Sequence, residues 1–235
     1  MKHLYIAIIV AMMSVSSLEA AGKGKHLFIL SGQSNMARLD PNSSFTPAVE
    51  AEFGKQNVIV VKDAQGGQPI RRWYKKYASL SGATGGKKKN LDKKGNARVG
   101  GGLYDRLMEK VNKEIAGANL ETVTFVWMQG EKDSQGAAYK VYKEALTGLI
   151  QQLSDDMKRD DLNYVIGRLT QYKSGQQGWD EIRKIQQEVA EASPRGAWVD
   201  SDNCELKDIH HTPAGYKELG KLFAEKAIEL VKKSK

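Results

Sequence analysis

Five short apolar runs, separated by longer stretches of helical period, constrain this chain more than any other feature. The runs lie at 26–31 (HLFILS), 57–61 (NVIVV), 122–128 (TVTFVWM), 163–168 (NYVIGR) and 197–200 (AWVD). Near-continuous apolar character, without the alternation of a half-exposed strand, fits strands covered on both faces and hence a parallel sheet. Helical period occupies 103–116, 137–157, 180–192 and 213–233. In the last of these Tyr216, Leu219, Leu222, Phe223, Ala227 and Leu230 recur as one stripe, which reads as core. Strands alternating with helices predict a βαβ architecture with right-handed crossovers. At 235 residues the chain suits one domain, and no internal repeat divides it.

The first residues stand apart from that pattern. Met1-Lys2-His3 is basic, LYIAIIVAMMSV is apolar, and a short polar stretch ends at Ala20. This layout predicts a secretory signal peptide over 1–20, with an apolar run too short to span a bilayer comfortably. The expectation is therefore an exported protein, periplasmic or secreted, whose single domain runs over 22–235 and does not stay inserted in the membrane. Cys204 is the sole cysteine, so no intramolecular disulfide forms and stability rests on a packed core. One Cys and four His argue against a structural zinc site. With His3 in the leader, His26, His210 and His211 are the histidines left to serve as a base.

In open parallel sheets, ligands bind beyond the carboxyl ends of the strands, so the residues that come after each run matter. After the first comes Gly32-Gln33-Ser34-Asn35, after the second KDAQGGQPIRRW, after the third QGEKDS, and after the last SDNCELKDIHH. Small and amide residues of this kind favour plain turns. A strand that delivers a serine onto a sharp turn is also how hydrolases present a nucleophile. A serine hydrolase further needs a base, a group to orient it, and donors for the oxyanion. Ser34 is the candidate nucleophile. His210 and His211 enter the final helix at the correct edge with Asp208 beside them, whereas His26 begins a strand at the opposite end and reads as surface or packing. Asp208 either holds an imidazole or caps the last helix, for which Thr212 before Pro213 is the better residue. Gly66-Gly67 lets backbone approach a ligand, and the Gln129 amide is placed to donate to the same oxyanion. Glu131 and Asp133 are read as orienting neighbours, with Asp133 or Ser134 alternatively capping a helix that starts near 136.

Four ordered blocks, GQSNM at 32–36, GGQPIRRW at 66–73, WMQGEKD at 127–133 and DIHHTPAGYKELG at 208–220, together resemble the SGNH hydrolase superfamily. Within it they are most similar to the branch of sialate O-acetylesterases and family 6 acetylxylan esterases. The resemblance implies a flavodoxin-like three-layer α/β/α sandwich around a five-stranded parallel sheet. It also implies a carbohydrate esterase that releases acetate from acetylated glycans without metal or other cofactor. Carried over by position, Ser34 is the nucleophile, and the Ser34 N–H, the Gly67 N–H and the Gln129 side chain form the oxyanion hole. The superfamily's Asp-x-x-His spacing selects His211 from Asp208, while the TPAGY tail aligns the family's histidine with His210. Catalytic Ser34, His210 and Asp208, with His211 and Glu131 as alternative or supporting groups, are the expected site. A glycan-binding protein of this fold without turnover, or a serine hydrolase of another ester, is the competing expectation.

Charge is concentrated. Between Arg71 and Arg98 ten Lys and Arg side chains face the single acid Asp92, so this segment is more positive than the whole chain, whose net charge is +8. Residues 75–102 are rich in Gly and Lys and lack period, which predicts a long loop at the rim of the site. The expectation is that it steers an anionic polysaccharide. The lysines lack the interleaved aromatics of a nucleic-acid surface, and GATGGKKK lacks the strand and the Ser or Thr of a phosphate-binding loop.

Overall fold

The computed structural model describes residues 24–80 and 100–233. The predicted leader, 1–20, and most of the basic loop lie outside the described residues. Five strands form one wholly parallel sheet: β1 (Lys25–Gly32), β2 (Val58–Ala64), β3 (Leu120–Met128), β4 (Asn163–Gly167) and β5 (Gly196–Val199), in the order β2-β1-β3-β4-β5. All five coincide with the apolar runs. Successive β1 side chains point to opposite faces, and both faces are covered. Leu27 and Ile29 join one core with α3 (Gly102–Glu114), α4 (Tyr142–Met157) and α5 (Gln177–Glu191). Phe28 and Leu30 join the other with α1 (Ser34–Arg38), α2 (Phe45–Phe53) and α6 (Pro213–Lys233). The result is the expected α/β/α sandwich. Each fully buried Phe or Leu of β1 contributes roughly 1.5–3 kcal/mol.

The helix boundaries differ from the sequence expectation in instructive places. Neither α1 nor α2 was expected. α1 has only five residues, in a stretch whose composition reads as a turn, and α2 carries Pro47 in its first turn, where the missing N–H costs nothing. α4 starts at Tyr142 after a tight turn over Ala138–Val141, not near 136. Ser34 opens α1 directly at the end of β1. α6 begins as Thr212 and Pro213 predict: Thr212 Oγ1 accepts from the Gly215 N–H at 3.1 Å, and Pro213 takes the first helical position. His26 is buried, with Nδ1 2.8 Å from Thr122 Oγ1 and its ring 4.4 Å from that of Phe53, so it is a packing residue and not a surface one.

The register aligns the functional edge. Gly32 of β1 sits opposite Ala64 of β2 and Met128 of β3, so three strands stop in one row and their loops emerge side by side. Gly32 has φ +145°, and a Cβ there would lie 2.0 Å from the Met128 carbonyl oxygen. Glycine alone lets the chain turn at that point, with the Gln33 N–H donating to the same carbonyl at 3.0 Å.

Candidate active site

Each loop of that row is held from behind. At the end of β2, Asp63 is buried and paired with Lys110 and with Arg106 Nε (2.8 Å) from α3, while Arg106 also reaches Gln65 Oε1 at 3.0 Å. The glycine pair comes next. A Cβ on Gly66 would come 3.5 Å from the Ser34 Cβ, so this loop lies against the candidate nucleophile. Gly67 has φ +69° with open space in front of it. Beyond it, Trp73 packs edge to face on Trp127 of β3, centroids 5.2 Å apart, which fastens the far end of the loop to the sheet.

Loop 204–212 carries the candidate base. A bridge between Leu206 and His211 closes it, with the Lys207 N–H donating to the His210 carbonyl at 2.9 Å. Asp208 Oδ1 accepts from the His210 N–H and lies 2.7 Å from the His210 ring Nδ1. These two bonds hold the Asp208 carboxyl below its ordinary range, with Arg38 contributing through its charge. On the other side of the ring, His210 Nε2 lies 3.0 Å from Ser34 Oγ. The three side chains form a continuous hydrogen-bonded chain across 176 positions of sequence. With Nδ1 protonated toward Asp208, Nε2 is the acceptor for the Ser34 proton, as acyl transfer requires.

His211 points the other way. It is 3% exposed, stacks edge to face on Tyr216 with centroids 5.3 Å apart, and has its pKa lowered by burial against the opposing backbone carbonyls of Cys204 and Glu205. Of the two histidines, only His210 touches Ser34.

The Gln129 amide corrects an expectation. The side chain is fully buried, and Nε2 donates to Asp133 Oδ2 (2.6 Å), Gln33 Oε1 (3.1 Å) and the Gln68 carbonyl (3.1 Å). A donor already committed to three acceptors is not presented to an oxyanion, and instead ties the three loops together. Asp133 takes part in the same clamp, since its Oδ2 also accepts from the Ile70 N–H at 2.8 Å. Burial pushes the Asp133 carboxyl up to about 6. Neither Asp133 nor Ser134 caps a helix, and the Ser134 hydroxyl donates to the Glu131 carbonyl. The backbone N–H groups of Ser34 and Gly67 remain available, because no hydrogen bond among the described residues uses them.

Two residues of the first loop carry more than the sequence indicated. Gln33 Oε1 accepts from Gln129 and from the Lys132 N–H at 3.1 Å. Asn35 joins three elements: Nδ2 donates to Glu131 Oε1 (2.8 Å) and to the Ile209 carbonyl (3.1 Å), and Oδ1 accepts from the Tyr216 hydroxyl (2.9 Å). Ile209 directly precedes His210, so Asn35 fixes the His210 segment relative to the serine beside it. Glu131 therefore acts on Asn35 and makes no contact with the imidazole. Its carboxyl is buried and pushed up to about 7. The only sequence signal for these roles is polarity on a turn, which a solvated loop shows equally. Among the described residues no three His, Cys, Asp or Glu side chains gather to hold a metal ion, and no helix is long and apolar enough to cross a membrane.

Known proteins similar to this chain are recognisable at the level of family and of fold. The profile of a family described as carbohydrate esterase, sialic acid-specific acetylesterase matches residues 37–229, a span that takes in Gly67, Gln129, Glu131, Asp208 and His210 and begins just after Ser34. Among solved structures, a protein from Arabidopsis thaliana aligns with a TM-score of 0.65 at 18% identity, over 88% of this chain and 98% of that one. A structure described as a novel carbohydrate acetylesterase from Xanthomonas citri aligns at 0.66 and 17% identity, over 89% of this chain and 57% of that one. The family 3 carbohydrate esterase of Clostridium thermocellum aligns at 0.51 and 11% identity, over 89% and 98%. At these identities the likeness is one of fold. No curated protein sequence matches the chain.

Proposed function

The chain belongs to the carbohydrate esterase family described as sialic acid-specific acetylesterases, and from that premise we propose a serine-dependent O-acetylesterase with Ser34 as nucleophile, His210 as base and Asp208 as its orienting acid. The enzyme is a hydrolase of carbohydrate esters. The observation that carries the serine mechanism is the 3.0 Å contact between His210 Nε2 and Ser34 Oγ, continued at 2.7 Å to Asp208. His210 takes the Ser34 proton as Oγ attacks the acetyl carbonyl. The Ser34 and Gly67 N–H groups stabilise the resulting oxyanion, each such donor being worth on the order of 3 kcal/mol in the transition state. The tetrahedral adduct collapses, and the sugar oxygen leaves with the proton from the imidazolium. Water, deprotonated by His210, then releases acetate and restores Ser34.

The substrate is an acetylated, acidic glycan. Support comes from the concentration of cations between Arg71 and Arg98, which begins where the Gly66-Gly67 loop ends. The protein is exported, a reading supported by the basic-apolar-polar order of residues 1–20. Acetate release from a panel of acetylated neutral and acidic saccharides, with Ser34→Ala as control, tests the activity and its dependence on the serine. A Ser34→Ala protein that still turns over overturns the mechanism. Cell fractionation and N-terminal sequencing of the mature protein test export.

A further inference from the structure

Between the end of the glycine loop and the turn after β3 lies a cavity of about 330 Å³ lined by Pro69, Arg71, Lys132, Asp133, Gln135, Gly136 and Ala138. Its walls are continuous with the site. The Lys132 N–H holds Gln33, the neighbour of Ser34, and Pro69 comes directly after the Gln68 carbonyl that Gln129 clamps. The volume falls at the small end of the range for ligand pockets. We propose that this cavity is a subsite for an acidic sugar ring, in which Arg71 and Lys132 bind the ring's carboxylate and Asp133 accepts a hydroxyl from the same ring. The proposal rests on the acidic-glycan reading above. It assigns the charge selectivity to two residues at the site, where that reading relied on the lysine-rich segment as a whole.

Two independent observations point to a ligand here. The first concerns Asp133, which is 1% exposed. Its Oδ2 is fully used by the Ile70 N–H and the Gln129 amide, while its Oδ1 is buried without a hydrogen-bond partner. A buried carboxylate oxygen without a donor is costly, on the order of 1–3 kcal/mol, and a sugar hydroxyl entering the cavity supplies that donor. The second concerns the cations. No hydrogen bond or ion pair engages the Arg71 guanidinium among the described residues, and the Lys132 ammonium contacts only the Gln135 amide oxygen, at 3.2 Å. Both charges reach Asp133, since each pulls its carboxyl downward against the effect of burial. A guanidinium with all its donors free, beside an ammonium, is suited to bidentate capture of a carboxylate. A neutral sugar leaves these donors unpaired, so the subsite discriminates by charge as well as by shape.

The test uses ligands that carry no ester, so that turnover plays no part. Binding of methyl glucuronide and of methyl glucoside to the full-length protein is measured by NMR titration, alongside the Arg71→Gln/Lys132→Gln double variant. The glucuronide is expected to bind at least about tenfold more tightly than the glucoside, and the double variant is expected to bring the ratio close to one. Absence of glucuronide binding, equal affinities in the unaltered protein, or a ratio that survives the double substitution overturns the proposal. Acetate release by Ser34→Ala is a separate readout. A failure of the serine mechanism therefore leaves this result standing, and the reverse also holds.

Discussion

Replacing Glu131 by Gln isolates one buried charge. The carboxyl is 5% exposed, and desolvation, with a smaller contribution from Asp133, outweighs its backbone bonds and the Asn35 bond and carries it from 4.5 to about 7. Between those two values the folded chain holds a proton that the unfolded chain has released. Stability contributed by this group is therefore fully present below about pH 4.5 and is lost as pH rises through about 7. At 1.36 kcal/mol per pH unit, the interval between those values amounts to roughly 3 kcal/mol, most of which falls between pH 5 and 8. In the Glu131→Gln variant the new side chain keeps an acceptor for Asn35 Nδ2 and never titrates. Its amide nitrogen takes the place of Oε2, which has no partner, at a cost of about 1–3 kcal/mol that is the same at every pH. Asp133 titrates in both proteins, so only its smaller coupling to Glu131 fails to cancel. Urea unfolding monitored by fluorescence of the buried Trp73, Trp127 and Trp179, at pH 5, 6, 7 and 8, gives the two stability curves. The variant is expected to gain about 2–3 kcal/mol on the unaltered protein from pH 5 to pH 8. Parallel curves would refute the reasoning, because they would mean that Glu131 is ionised throughout and that burial does not govern it.

Other expectations are simpler to state. His210→Ala lowers kcat on p-nitrophenyl acetate by three or more orders of magnitude, whereas His211→Ala acts on the unfolding midpoint and leaves most of kcat; the reverse pattern would exchange their roles. Asn35→Ala removes three hydrogen bonds, two of them buried, costing about 2–4 kcal/mol of stability, and lowers kcat more than it raises KM because His210 loses its anchor at Ile209. Gly67→Ala meets no atom in the open space before it, so its cost is the left-handed backbone alone, about 1–2 kcal/mol. Its kcat falls as the N–H turns away, and an unchanged kcat would remove Gly67 from the oxyanion site.

The strands were legible because burial on both faces leaves a direct trace, an unbroken apolar run such as Thr122–Met128. α3 to α6 were legible through their apolar stripes, since period alone reveals a helix that packs on one face. α1 escaped because five residues contain little more than one turn, and Ser, Asn and Arg carry no stripe. The meeting of Ser34 with the DIHH segment was foreseeable from the rule that loops after parallel strands share one edge. Between His210 and His211 only the resemblance of the TPAGY tail favoured His210; the bridge between Leu206 and His211 that turns adjacent side chains to opposite sides left no mark in the sequence. Gln129 shows the same limit from another direction. An amide's sequence position reveals what it can donate, while its acceptors, Gln33, Gln68 and Asp133, are set by three loops meeting in space.

The hydroxyl and the imidazole come from opposite ends of the chain, the former at the end of the first strand and the latter just ahead of the closing helix. A polypeptide still emerging from the ribosome, or one clipped before residue 210, carries the serine without the partner that would activate it. In the proposed serine mechanism, turnover therefore requires that the end of β1 and the loop ahead of α6 have come together.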